Sequence, residues 1–267
     1  MRIVNKNYIL KGSVNTNIVL ISDIHYYNKK DIKHLNKVLE RIKKIKPSYI
    51  CISGDLTDIS YIDDEKYLID WLKKLSKICK VIISIGNHEL YIRKEVNIYG
   101  INYTLFDKIE AIKNVYVLDN KSVILDGINF IGITLPIDYY YNAKKSIDDD
   151  KYFKSIEGNK KYYNILLCHS PININNSELL KEKNIDLVLC GHMHGGMVPR
   201  IFRKFIKNIG FISPEKTLFP KIAYGHILKD NTNILISSGI TVVSHINRFR
   251  LLKELFSSEI VDIKIKM

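Results

Sequence analysis

No stretch of the 267 residues approaches the ~20 consecutive apolar residues that a membrane-spanning helix needs. The run Met1-Arg2-Ile3-Val4-Asn5-Lys6 carries charge but has no apolar segment behind it, so no secretory signal is expected. Both absences point to a cytoplasmic protein. Cysteine is scarce: Cys51, Cys79, Cys168 and Cys190 form no Cys-x-x-Cys pair. Three of them lie inside apolar runs and read as core residues, which fits a reducing compartment. There is no Gly-x-Ser-x-Gly elbow and no Walker-type glycine-rich loop, which argues against a serine nucleophile and against ATP-driven chemistry. Internal repeats and low-complexity linkers are absent too. Acidic residues are in short supply, 28 against 41 Lys and Arg, for a net charge of +13. A basic surface favours anionic partners such as nucleotides, nucleic acid or acidic lipids. A coding sequence rich in A and T also yields Lys, Ile, Asn and Tyr in excess, so charge alone selects no substrate.

What is present is a series of short apolar runs separated by helical or loop stretches. The run at 17–22 leads to a helical stretch from Asp31 to Lys46. There Ile32, Leu35, Val38, Leu39, Ile42 and Ile45 follow the spacing of one helix face, with Asp31 as the expected N-cap. His34, on the polar side, is expected to be exposed. A strand at 48–53, a helix near 63–79 and a strand at 81–85 follow. This alternation implies a parallel sheet in an α/β protein. Val115–Asp119, Ser122–Asp126 and Asn129–Thr134 are expected to meander as antiparallel strands through Asn-Lys and Asp-Gly turns. The runs at 165–168, 187–190, 233–237 and 260–265 complete the strand list. A single domain over 1–267 is expected, with a polar, Tyr-rich excursion at 136–163 near the site.

Five of these runs end in metal-binding residue types. The first ends at Asp23-Ile24-His25, the second at Gly54-Asp55, the third at Gly86-Asn87-His88-Glu89. The run at 165–168 ends at His169, and the run at 187–190 at Gly191-His192-Met193-His194. Ligands of open α/β sheets gather at the carboxyl ends of strands, so one rim collects all of these side chains. Carboxylate, amide and imidazole donors suit Mn, Fe or Zn. Asp23 and His25 lie two apart, and an extended strand end aims both the same way. His192 and His194 share that spacing. Asp55, with two oxygens, has the means to bridge two ions. Taken singly each motif has an ordinary explanation: Gly-Asp is a turn, Gly-Asn-His-Glu a helix cap, a lone histidine a hydrogen-bonded core residue. Their conjunction in this order is what points to a metal site.

These segments resemble the calcineurin-like metallophosphoesterase superfamily. The resemblance carries Asp23-Ile24-His25, Gly54-Asp55-Leu56-Thr57-Asp58, Gly86-Asn87-His88-Glu89, His169 and Gly191-His192-Met193-His194, and covers about residues 17–240. It implies a four-layer αββα fold, two mixed β-sheets packed as a sandwich and flanked by helices. It also implies two divalent metal ions. One would take Asp23, His25, Asp55 and His194; the other Asp55, Asn87, His169 and His192. His88 would stay off the metals and act on the scissile phosphate, and Asp58 and Glu89 would orient neighbouring groups. The implied activity is a phosphodiesterase or phosphatase in which a metal-bridging hydroxide attacks phosphorus. Downstream, Gly195-Gly196, Leu218-Phe219-Pro220-Lys221, Tyr224-Gly225, Ser238-Gly239 and Arg248-Phe249 are similar to the YkuE/YaeI-type branch. Some members of that branch act on lipid-linked substrates, so a lipid-linked or nucleotide phosphate is the candidate substrate; Arg248, outside the metal motifs, is a candidate phosphate contact. The chain departs from the branch after Ser238-Gly239, where Leu251-Leu252-Lys253-Glu254-Leu255-Phe256 replaces a Pro-Pro-Glu stretch.

Residues 200–207 interleave apolar and basic side chains, the composition of an element that lies on an anionic membrane. The same charges suit a nucleic-acid backbone, and a partly buried loop covering the site with solvated lysines is the plain alternative; of the two partners, peripheral membrane contact is the one expected, and nucleic acid is not. A DNA nuclease, and a non-catalytic binding protein on the same fold, are the alternatives. His226 and His245 lie outside the motifs. The sequence sets no oligomeric state.

Overall fold

A computed structural model describes residues 1–58, 64–93, 98–156, 158–241 and 255–267. The chain opens with β1 (Arg2–Lys11) and β2 (Thr16–Ile21), then α1 (Ile32–Ile45), β3 (Tyr49–Ser53), α2 (Glu65–Ser76) and β4 (Lys80–Ser84). A ribbon of β5 (Tyr91–Arg93) and β6 (Ile98–Tyr99) precedes α3 (Tyr103–Glu110) and β7 (Val115–Leu118). Then come β8 (Lys121–Leu125), β9 (Ile128–Ile133), α4 (Lys151–Ser155), β10 (Tyr163–Cys168), α5 (Pro171–Asn175) and β11 (Leu187–Cys190). The last elements are β12 (Gly225–Lys229), β13 (Thr232–Ile236) and β14 (Ser257–Lys266).

The strands form two mixed six-stranded sheets, ordered β1-β14-β2-β3-β4-β7 and β12-β13-β11-β10-β9-β8. Side chains alternate between the faces of a strand, and here both faces are apolar. Ile18 and Leu20 of β2, Cys51 of β3 and Ile82 of β4 pack against Phe130, Ile165, Leu167, Leu189 and Leu235 of the other sheet. Their neighbours Val19, Ile21, Ile50, Ile52, Val81 and Ile83 face the opposite way, with Leu35, Val38, Leu39 and Ile42 of α1 and Leu68, Trp71, Leu72 and Leu75 of α2. Trp71 Nε1 donates to the Leu35 carbonyl at 3.0 Å, pinning α2 to α1. Two sheets flanked by helices is the architecture expected from the sequence. The outer layer over the second sheet is lighter than that over the first. Its helices α4 and α5 are five residues each.

Several details differ from the sequence expectations. The three strands at 115–134 do not form one meander. Only β8 and β9 pair antiparallel, through the Asp126-Gly127 turn where both residues have positive φ. β7 pairs parallel with β4 and closes the other sheet, because its apolar face completes the layer under α3. β1 and β12 are edge strands with mixed composition, and their pairing comes from β14 and β13 rather than from an apolar pattern of their own. Asp31 stands at the N-cap of α1 as expected, but its side chain does not cap the helix; the carboxylate accepts from the Tyr27 and Asn28 amides and closes the preceding turn. His34 is not exposed. It is half-buried, sharing a 2.7 Å hydrogen bond with Ser258 Oγ of β14, and burial pushes its pKa down to about 4.

In the first sheet β2, β3 and β4 are parallel, and in the second so are β9, β10, β11 and β13. Their carboxyl ends meet at one rim of the sandwich. Ser53 Oγ donates across the gap to the Leu189 carbonyl at 2.7 Å and joins the two sheets there.

Candidate metal centre

Strands β2, β3 and β11 leave their sheets by abrupt turns. Asp23, His25, Asp55, His192 and His194 all take positive φ, between 45° and 71°. The extended strand end expected for Asp23 and His25 is therefore replaced by a left-handed kink. Non-glycine residues avoid this region, and they persist in it where surrounding bonds over-determine them, commonly at functional sites. The bonds are present: the Ile24 and His25 amides both donate to the Asp55 carbonyl, at 2.8 and 3.0 Å, and the Asp23 amide to that of Gly54. Gly54 itself has φ +74°, and a Cβ there would lie 2.5 Å from His169 Nδ1. Only glycine lets β3 turn so close to the imidazole.

Glu89 holds the next layer. Its buried carboxylate accepts from the amides of Asp55, Thr57 and Gly86 at 3.0, 2.9 and 2.7 Å. It thus fixes the backbone that presents Asp55, rather than a ligand side chain. Burial, with the nearby Asp55 charge, pushes its pKa up to about 7. Asp55 Oδ1 accepts from the His88 amide at 2.9 Å. Asp55 Oδ2 lies 3.6 Å from His25 Nε2 and 3.0 Å from His169 Nε2. Asp23 accepts the His192 amide at 2.9 Å, and its Oδ1 lies 3.7 Å from His194 Nε2.

Two imidazoles are turned by main-chain carbonyls. His169 Nδ1 bonds the Ser53 carbonyl at 2.8 Å and His194 Nδ1 that of Thr241 at 3.2 Å. A nitrogen that donates to a carbonyl leaves the other as a lone-pair donor, the usual arrangement of ligating histidines. Asp23, His25 and His194 bring one donor atom each within 4.8 Å of one another, and so do Asp55, His169 and His192. A third grouping is His25, Asp55 and His88. Asn87 follows β4, and its Oδ1 is buried without a hydrogen-bond partner. Both ring nitrogens of His25 and Nε2 of His169 are likewise buried and unpartnered. A buried polar atom without a partner is costly, and a shell of such atoms around two carboxylates fits bound cations. The charge balance agrees. Burial drives the Asp55 pKa upward, yet His169, His88 and His25 together hold it well below the usual carboxylate range. Burial likewise disfavours charge on His169, but Asp55 and Asp23 raise its pKa to about 9. The carboxylates thus draw positive charge into the centre. His194, where burial outweighs Asp23, falls to about 4 and stays neutral.

His88 is more open than these residues. Its Nδ1 donates to the Asp58 carbonyl, which leaves Nε2 bare in the neutral ring; Nε2 carries a transferable proton in the imidazolium form. Asp58 Oδ1 stands 3.5 Å from Nδ1 of both His25 and His88. Arg248 and His245 lie outside the described residues. His226, on β12, bonds Asn233 and packs on Tyr8.

Sequence reasoning missed two residues here. Tyr140, from the excursion expected near the site, packs edge-on at 5.2 Å from the His192 ring. Glu215 Oε1 lies 2.6 Å from His192 Nε2. No motif marks either one, since both arrive from loops distant in sequence.

The model of the calcineurin-like phosphoesterases matches residues 16–196. A protein of Helicobacter pylori named an uncharacterized metallophosphoesterase is 28% identical over 193 residues, 72% of this chain and 48% of that protein. One of Campylobacter jejuni is 28% identical over 181 residues, 68% of this chain and 44% of that protein. The chain thus spans about half the length of the curated relatives it matches. A dimetal phosphatase of Danio rerio, known from its crystal structure, aligns over 84% of this chain and 87% of its own at 11% identity, with a TM-score of 0.47. With two thirds of its length under that model, and with the motif residues gathered at one rim, the chain belongs to the calcineurin-like phosphoesterase family.

Proposed function

We propose that the chain hydrolyses phosphoesters with two divalent ions, one held by Asp23, His25, Asp55 and His194, the other by Asp55, Asn87, His169 and His192. The observation that carries this is the place of Asp55 Oδ2, within 3.6 Å of His25 and 3.0 Å of His169, between two groups of donor atoms. Bound there, two ions supply Lewis acidity at phosphorus and activate a water for in-line attack. The protein's own groups do the rest. The left-handed kinks and Glu89 keep the donors in place before substrate arrives, so little reorganisation accompanies the reaction. His88 faces the scissile phosphate; as an imidazolium, with Nδ1–H on the Asp58 carbonyl, it hydrogen-bonds the developing charge through Nε2–H, gives that proton to the leaving oxygen and is left as the neutral Nδ1–H ring. Asp58, beside both His25 and His88, keeps their rings in register. With Asp, Asn and His donors, Mn, Fe and Zn are the candidate ions, and Mn²⁺ is expected to restore the stripped enzyme best.

The substrate class we favour is a lipid-linked or nucleotide phosphate, met by a cytoplasmic enzyme at an anionic membrane surface. Two loop arms support the membrane contact. The amide of Phe219 bonds the Phe211 carbonyl and that of Gly210 the Pro220 carbonyl, which places 199–212 beside 217–222. Phe205 (85% exposed), Leu218 (68%) and Phe219 (66%) project from these arms among Lys204, Lys207, Lys216 and Lys221. Arg203 is an exception within the basic segment. It turns inward to Ser238 Oγ at 2.8 Å, with Glu259 3.6 Å away, and braces the loop. Among the described residues no helix is long and apolar enough to cross a membrane.

Assays of a diester, a monoester, cyclic nucleotides, single-stranded DNA and a nucleotide-linked lipid, with Mn²⁺ and with EDTA, test the reaction. Turnover of a phosphoester that EDTA abolishes and Mn²⁺ restores is expected. Activity confined to DNA makes the chain a nuclease, and inactivity on every substrate with both ions bound makes it a binding protein. Co-sedimentation with acidic vesicles, reduced in a Phe205→Ser, Phe219→Ser variant, is the expected membrane result; equal pelleting with neutral vesicles refutes it.

A further inference from the structure

Glu215 is held against the site by a hairpin of its own. The Thr217 amide donates to Ser213 Oγ at 3.1 Å, the Ser213 amide to the Thr217 carbonyl at 3.0 Å, and Ile212 bridges Leu218. The hairpin is fastened in turn to the segment that carries His192. The amides of Phe211 and Ile212 both donate to the Gly196 carbonyl, at 2.7 and 3.2 Å, where Gly196 and Gly210 pack backbone on backbone. One rigid unit therefore presents both His192 and the carboxylate that meets it. Glu215 Oε1 stands 2.6 Å from His192 Nε2, with both side chains only 5% exposed. Oε2 of Glu215 is buried and takes no hydrogen bond. The other end of His192 is fixed as well, its amide on Asp23 and its ring between His169 and Tyr140.

A carboxylate only accepts, so the nitrogen facing it carries the proton, and a neutral imidazole then keeps its lone pair on the other nitrogen. Resting on the two-ion function proposed above, we infer that Glu215 is a positioning residue for the ion shared by Asp55, Asn87, His169 and His192. It accepts a hydrogen bond from Nε2–H of His192, sets the tautomer with a bare Nδ1, and aims that atom at the Asp55–His169 group. His169 and His194 have main-chain carbonyls for the same task, at Ser53 and Thr241. His192 has a full negative charge instead, which strengthens the donor and adds to the attraction for a cation. Partners of this kind typically contribute 10–100-fold to metal affinity.

The test is a titration of Mn²⁺ into chelator-stripped full-length protein, followed by calorimetry and by elemental analysis after desalting. Wild-type protein is expected to bind two ions. Glu215→Ala is expected to bind one ion with affinity within about twofold of wild type and the other about 10–100-fold more weakly. Glu215→Gln, whose amide oxygen still accepts a hydrogen bond from Nε2–H but lacks the charge, is expected to lose less, and it decides alone if the alanine variant does not fold. In a His192→Ala background, removing Glu215 is expected to change metal binding no further. Two ions bound by Glu215→Ala with wild-type affinities overturn the inference, as does equal weakening of both ions or a full additional loss in the His192→Ala background. Wild-type protein that binds fewer than two ions overturns the proposed function, and this inference with it.

Discussion

Replacing Gly54 by alanine is expected to damage both stability and chemistry, and by an amount the structure sets. The residue has φ +74°, a region that costs an L-residue about 1–2 kcal/mol. Its new Cβ would lie 2.5 Å from His169 Nδ1, 2.6 Å from its Cγ and 2.9 Å from the Gly86 Cα. None of these gives way easily. The imidazole is fully buried and tied to the Ser53 carbonyl, and Gly86 is backbone whose amide is held by Glu89. Relief requires a shift of about 1 Å, and overpacking of this kind costs about 1–3 kcal/mol. The sum, about 2–5 kcal/mol, lowers Tm by roughly 7–14 °C at its midpoint for a chain of this size. The same shift displaces His169 from Asp55, and 1 Å of misplacement costs about 100-fold in rate. Gly127→Ala is the control. It has φ +83° on the β8–β9 turn with nothing within 4 Å, so it bears the backbone strain alone and keeps full activity. Scanning fluorimetry of stripped protein and turnover of a chromogenic diester with Mn²⁺ read both effects. If Gly54→Ala melts with Gly127→Ala and retains wild-type turnover, the close approach at β3 has no functional weight and the reasoning fails.

Asn87→Ala is expected to lose one of two Mn²⁺ ions and most activity, read by elemental analysis; two retained ions remove Asn87 from the ligand set. His88→Ala is expected to keep both ions while kcat falls about 10²–10⁴-fold, the usual contribution of an acid–base group; loss of metal instead would make His88 a ligand. For His34, burial lowers the pKa from 6.5 to about 4, so between those values the unfolded chain binds a proton that the folded chain does not. Stability is then full above pH 6.5 and is lost as pH falls toward 4. With the ring partly open to solvent the loss is about 1–2 kcal/mol. Urea unfolding at pH 7 and pH 4.5 is expected to show a smaller drop for His34→Gln than for wild type, and equal drops refute it.

The sheet strands of the first half were legible because burial on both faces leaves a nearly unbroken apolar run, and α1 because its apolar residues keep one face. The site residues were legible for a related reason. Carboxylates, an amide and imidazoles placed directly after apolar runs have no role in the core, and parallel strands deliver them to one rim. Which sheet a strand joins was not legible. β7 and β8 are separated by two residues, yet they lie in different sheets, because partner choice depends on faces supplied elsewhere in the chain. β1 owes its place to β14 at the other end of the sequence.

By itself, then, the sequence determined most of the strands and helices and the inventory of donor groups, since local hydrophobic pattern and residue chemistry act over a few positions; the two-sheet layering was implied only by the family resemblance of its motifs. The tertiary structure alone decided the left-handed kinks that aim Asp23, His25 and Asp55, because backbone bonds between two strand ends hold them there. It alone brought Glu215 to His192 and Tyr140 to the same ring, and turned Arg203 inward from a segment that reads as uniformly basic. These contacts join loops far apart in the chain, and no local pattern encodes a partner that only folding brings within reach.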